Sequence, residues 1–185
     1  MIDAAFLRSV VKDFRLYKML GERAMAQVPT DVDFEVKLDP ESNSIAIIVQ
    51  HIAGNFRSRY RDFLTTDGEK PDRDRDGEFE RRKPMTRQAV MTEWDEGWAV
   101  ALSTLDALTP LDLGKTITIR GEAFLVVEAL NRSVTHTAYH VGQIVYLARH
   151  FAGERWTSLS IPKGKSAEFS KGNFNDYQKT GHLKA

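Results

Sequence analysis

The segment His136-Thr137-Ala138-Tyr139-His140 carries the strongest chemical signal in the chain. On a helix, positions four apart lie about 40° apart around the axis and one turn along it. Two imidazoles so placed can share one metal ion. The pattern is not that of the zinc-protease helix, because Thr137 stands where its general-base glutamate would be. Two imidazoles do not complete a tight site, so a third ligand must come from elsewhere. His51 is the best-placed candidate, mid-helix beside an apolar face, with Ile48 and Asn55 at helical spacing. His150 suits the dipole at a helix C-terminus, and His182 lies in a polar tail. The competing reading is that the histidine pair is a surface or hydrogen-bonded core feature. If a metal binds, neutral imidazoles without a thiolate favour zinc or nickel, or another first-row divalent ion, over calcium or magnesium. Affinity is expected to fall as pH drops through about 6.5, where free imidazole protonates.

Other motifs carry less. Asp72-Arg73-Asp74-Arg75-Asp76-Gly77 resembles the first half of a calcium loop, but the twelfth position is Lys83, and the interleaved arginines oppose a cation. A salt-bridged surface loop is the better account. Gly114-Lys115-Thr116 lacks the leading glycine of a phosphate loop and runs into a strand pattern. Asn131-Arg132-Ser133 matches a glycosylation acceptor inside a helical pattern. Arg57, Arg59, Tyr60 and Arg61 read as a solvated helix edge. No Gly-x-Ser-x-Gly elbow or dinucleotide fingerprint is present.

Four long helical patterns must position the histidines. The first runs from about Asp3 to Gln27, with Leu7, Val10, Phe14 and Tyr17 on one stripe and Pro29 beyond its end. Residues 31–40 alternate Val32, Phe34, Val36 and Leu38, which suits a short strand or extended segment. The second helix opens near Ser42 or Asn43 and runs to about Leu64. Residues 67–83 carry seven acidic and six basic side chains, which reads as a solvated loop. The third helix spans about Thr86 to Leu108, on Val90, Trp94, Trp98, Ala101 and Leu105. Lys115 to Arg120 alternates as one strand of a hairpin. The fourth helix runs from about Ala123 to Ala152, and Gly153 supplies its stop. The tail beyond is irregular, with Trp156, Leu159 and Ile161 available to pin its first part. Four amphipathic helices argue for an all-α four-helix bundle with a short β-hairpin. The chain reads as one domain over 1–185, with a core at about 3–152 and an extension at 153–185.

The composition is that of an ordinary globular protein, 42% hydrophobic and 28% charged, with Lys+Arg and Asp+Glu both 26. Zero net charge gives no overall pull toward nucleic acid or an anionic membrane. No apolar run approaches the roughly 20 residues of a membrane span, and the N-terminal residues lack a secretory pattern. A cytoplasmic protein is expected. Cysteine is absent, so any thiol chemistry needs a thiol brought in by a cosubstrate.

The segments Ser44 to Asn55 and His136 to Gln143 resemble the DinB-like (YfiT-type) superfamily. Asp62 to Pro71 and Trp156 to Pro162 resemble one of its uncharacterised bacterial subfamilies, so the resemblance covers nearly the whole chain. It implies a bundle of up-down-down-up topology, often dimeric. It also implies a divalent metal held by His51, His136 and His140. The superfamily includes S-transferases that use bacillithiol, mycothiol or glutathione, and a mycothiol-dependent isomerase; its thiol-binding residues have no match here. The favoured reading is a metal-dependent S-transferase that joins a low-molecular-weight thiol to an electrophilic small molecule. Gln50, Asn55, Thr135 and Gln143 are candidates to fix the imidazole tautomers, and Tyr139 is expected to pack. A metal-dependent hydrolase is the alternative, with Glu93 or Asp95 as proton shuttle. A third reading is a non-catalytic stress or interaction protein, a homodimer with structural histidines.

Overall fold

The computed structural model describes residues 2–80 and 85–164. Its helices are α1 (Ile2–Met25), α2 (Ile45–Tyr60), α3 (Arg87–Ala107) and α4 (Val126–Ala152). One antiparallel pair, β1 (Thr116–Ile119) and β2 (Glu122–Leu125), precedes α4. The expected all-α bundle with a small hairpin is the architecture found.

Local chemistry sets the boundaries. Ser44, in extended backbone, accepts the amide of Ile47 on its side chain and starts α2. Ser42, one of the expected starts, is instead bonded through its amide to Asp39. The helix stops at Tyr60, four residues before the expected end, because Arg61 is extended and Asp62 turns left-handed at φ 51°. Phe63 is still buried, stacked on Tyr60 at 5.5 Å between ring centroids. Its apolar signal therefore comes from a turn folding back rather than from another helical turn. Thr86 caps α3 by accepting the amide of Ala89.

The alternation over 31–40 is not a strand. Val32–Phe34 forms a single 3₁₀ turn that buries Phe34 and leaves Val32 70% exposed. Phe34 packs under the Arg87 guanidinium, 5.0 Å from the ring centroid, so one aromatic anchor stands where the pattern suggested a pleat. The fourth helix also begins later than expected. Ala123 to Leu125 pair with β1, and the positive φ of Arg120 (58°) and Gly121 (77°) supplies the two-residue turn between the strands. Ile117 and Ile119 of β1 face the core.

Side-chain contacts fix the helix directions. Lys18 meets Asp95 at 2.7 Å and Arg15 meets Asp106 at 2.8 Å, so α1 and α3 are antiparallel. Gly97 lies against Ala53, and Thr104 donates to the Tyr60 carbonyl at 2.8 Å, so α2 and α3 are parallel. His51 lies opposite His136, and the Tyr60 hydroxyl reaches Ser133 at 2.7 Å, so α2 and α4 are antiparallel. The order is up-down-down-up. A parallel α2–α3 pair requires the chain between them to travel back along the bundle, and this crossover passes beside the histidines.

The core is aromatic at its centre. Phe14, Phe56, Tyr60 and Trp98 meet edge to face or tilted, with Phe56 and Trp98 at 4.9 Å. A Cβ on Gly97 would fall 2.6 Å from the Ala53 Cα, so the close α2–α3 approach depends on that missing atom. After α4, Trp156 and Leu159 pack against the core, and Thr157 exchanges hydrogen bonds with Gln27. Ile161, the third expected anchor, is instead exposed; the tail beyond residue 164, with His182, lies outside the described residues. Among the described residues no helix is long and apolar enough to cross a membrane.

Candidate metal centre

Helical spacing stacks His136 and His140 on one face of α4, with ring centroids 4.5 Å apart. The antiparallel α2 brings His51 against both, at 5.2 Å from His136 and 4.7 Å from His140. Each ring offers one nitrogen within 4.8 Å of the others. The His51 and His136 Nε2 atoms approach to 3.2 Å.

Hydrogen bonds fix two of the rings. His51 Nδ1 lies 2.8 Å from Glu78 Oε2, and His140 Nδ1 lies 2.9 Å from Gln143 Oε1. A carboxylate and an amide oxygen accept, so each Nδ1 carries the hydrogen and each Nε2 keeps its lone pair. His136 with its proton on Nε2 would donate to His51 Nε2 across the 3.2 Å contact; with the proton on Nδ1 it would leave three facing lone pairs, which a bound cation would satisfy. Three nitrogen donors, two of them oriented from behind, fit a first-row divalent ion.

Burial, then the neighbouring His140 and His51 rings and the Arg73 and Arg59 guanidiniums, which all oppose a proton there, push the His136 pKa down to about 3. His140 falls to about 4, chiefly by burial, with the Gln143 hydrogen bond acting the other way. Both rings are therefore neutral at pH 7. Proton competition with a metal at these two positions moves well below the expected 6.5, because a buried imidazole resists charging.

The crossover contributes what the sequence reading missed. Residues 67–80 are not simply a solvated loop, for Lys70 and Glu78 are buried. The Arg73 side chain is 4% exposed and grips the Glu78 carboxylate at 2.7 and 2.9 Å. Burial alone would raise the Glu78 pKa. The hydrogen bond from His51 and the pairing with Arg73 outweigh it and hold Glu78 below the usual carboxylate range. Gln50 donates to the carbonyls of Gly77 and Glu78, both at 2.9 Å, and so anchors the crossover beside the histidines. A Cβ on Gly54 would lie 2.3 Å from Glu78 Oε1, so that glycine admits the carboxylate. Glu78 is one of seven similar acids in its segment. Only the adjacent Phe79, whose ring sits 4.7 Å from His51, hinted that this part of the loop returns to the bundle.

The other expected residues divide. Asn55 lines the cavity above the histidines. Thr135 is exposed and donates to the Arg132 carbonyl, away from the rings. Tyr139 does not pack inside; it is 64% exposed at the cavity rim. Glu93 pairs with Arg57 and Asp95 with Lys18, and neither lines the cavity. Arg59 and Tyr60, read as a solvated edge, instead form part of its wall. Asp72 pairs with Arg61, and Asp74 accepts the Gly77 amide, so these carboxylates are engaged within the loop. Lys83 lies outside the described residues.

The cavity has a volume of about 370 Å³ and opens to solvent over the three rings. Phe63, Phe79, Ile119 and Ala129 give it apolar walls. It can admit a small molecule to the face of the imidazole cluster.

Residues 1–165 match the family model described as a protein of unknown function, DUF1572. No curated protein and no solved structure matches the chain.

Proposed function

The chain belongs to the DUF1572 family, and from its own side chains we propose a metal-dependent S-transferase that joins a low-molecular-weight thiol to an electrophilic small molecule. The observation that carries this reading is the trio His51, His136 and His140, with nitrogens within 4.8 Å of one another at the base of an open cavity. These three imidazoles would hold the ion, with zinc or nickel the best match to a neutral nitrogen set. When bound, such an ion supplies a Lewis-acid centre that favours the deprotonated form of a thiol at neutral pH.

The protein's residues do the rest. Glu78 and Gln143 hold the tautomers of His51 and His140. Arg73 keeps Glu78 charged and aimed. Phe63 and Phe79 exclude water from one side of the cavity. In the transfer the thiol proton passes to solvent. The sulfur lone pair forms the new C–S bond, and the leaving group departs with the electron pair of the bond that breaks. The absence of cysteine from the chain suits a thiol delivered from outside. The resemblance of the histidine segments to the DinB-like superfamily supports both the ligand set and a homodimer.

The hydrolase alternative needs a proton shuttle, and among the described residues no carboxylate lines the cavity. The discriminating experiment offers zinc-loaded protein a chromogenic electrophile with bacillithiol, mycothiol or glutathione, and with no thiol. The transferase reading expects electrophile loss that requires both metal and one thiol. Equal turnover without thiol supports hydrolysis. No turnover under any condition supports the non-catalytic reading.

A further inference from the structure

Five arginines line the cavity: Arg59, Arg73, Arg75, Arg120 and Arg132. No aspartate or glutamate lines it among the described residues. The cavity is thus locally basic although the chain as a whole has zero net charge. Three of the arginines are committed behind the wall. Arg73 holds Glu78, Arg59 reaches Glu69 at 2.9 Å, and Arg120 reaches the same Glu69 through Nε at 2.9 Å. Two carboxylates thus answer three guanidiniums, and two guanidiniums are left over.

Those two come from different elements of the lining. Arg132 lies on α4 one helical turn before His136, so 132, 136 and 140 form one stripe. It stacks 5.7 Å over Phe124 and has no carboxylate partner among the described residues. Arg75 comes from the crossover, 5.9 Å over the Phe79 ring, and its nearest acid is the solvent-exposed Asp76 at 3.8 Å. Arg132 is held by an aromatic face alone, and Arg75 by an aromatic face and one long contact to a solvent-exposed acid, so both retain N–H donors for a ligand in the cavity they line. A guanidinium fork matches a carboxylate or phosphoryl group better than any other small-molecule function.

We propose that the cavity takes a small organic anion, its carboxylate or phosphoryl group received by Arg132 and Arg75 while its body lies along Phe63 and Ile119 toward the histidines. This rests on the cavity of the proposed transferase and names the chemical class of one of its substrates. The arginine site itself needs no metal.

Calorimetric titration of the full-length protein tests it, metal-free and zinc-loaded, with malonate, inorganic phosphate and the neutral malonamide as probes. Malonate or phosphate should bind metal-free protein, and malonamide should not. Arg132→Gln and Arg75→Gln should each weaken that binding about tenfold, the size of one charge-assisted hydrogen bond. Both side chains are exposed, so the variants should keep the wild-type melting temperature. Arg57→Gln, whose side chain pairs with Glu93 outside the cavity, should leave anion affinity within about twofold. The preference between malonate and phosphate assigns the anionic group. Malonamide binding as tightly as malonate would overturn the proposal. So would unchanged affinity in the doubly substituted protein, or anion binding that appears only with zinc and vanishes in His136→Ala. If zinc never binds but the arginine-dependent preference holds, the transferase reading falls and the anion site stands.

Discussion

The chemistry rests on the protonation of a few side chains. His136 and His140 have pKa values near 3 and 4 in the fold, against about 6.5 for an unfolded chain. Between those values the unfolded state binds more protons, so stability rises with pH across that window and levels off above about 6.5. In the metal-free protein the two rings should contribute on the order of 1 kcal/mol per pH unit each within it. Glu78, whose pKa is lowered, adds a contribution of the same sign at lower pH, present above its unfolded pKa and lost as its carboxylate protonates. Urea unfolding from pH 4 to 8 checks this. The His136→Gln, His140→Gln double variant should show a shallower rise between pH 4 and 6.5, and a slope equal to that of the wild type would count against buried neutral imidazoles.

At the scale of elements, the site exists because two close approaches are left open by glycine. Gly97 lets α3 lie against Ala53, and Gly54 admits the Glu78 carboxylate from the crossover. Alanine at the two positions should therefore fail differently. Gly97→Ala overpacks the α2–α3 seam and should cost about 1–3 kcal/mol of stability. Gly54→Ala should instead displace Glu78 from His51 and weaken zinc binding by about 10- to 100-fold, with a smaller change in unfolding midpoint. Calorimetry of zinc binding alongside thermal melts separates them, and a reversed pattern would contradict the role given to the crossover. The helices were legible because Val90, Trp94, Trp98, Ala101 and Leu105 repeat with the helical period. The histidine pair was legible because i,i+4 spacing leaves little geometric choice. Glu78 and Arg73 were not, since their partners depend on how a long charged crossover folds back. No local period records that. Val32 and Phe34 misled for a related reason: alternation implies a strand only when a neighbouring strand is there to pair with it.

Over the whole molecule, the parallel α2–α3 pair and its crossover bring three kinds of chemistry together. Histidines come from α2 and α4, an orienting acid from the crossover, and cavity-lining arginines from the crossover and α4. An ion linking α2 to α4 would bind only the folded state and so should stabilise the entire bundle, by about 2.7 kcal/mol when free metal stands at 100 times its Kd. The most direct test is metal content. The full-length protein is exposed to zinc, dialysed and measured by elemental analysis beside His51→Ala and His140→Ala. The wild type should retain about one ion per chain and each variant close to none, with circular dichroism confirming that all three stay folded. A wild type that retains no zinc or nickel, or variants that retain as much as the wild type, would contradict the account.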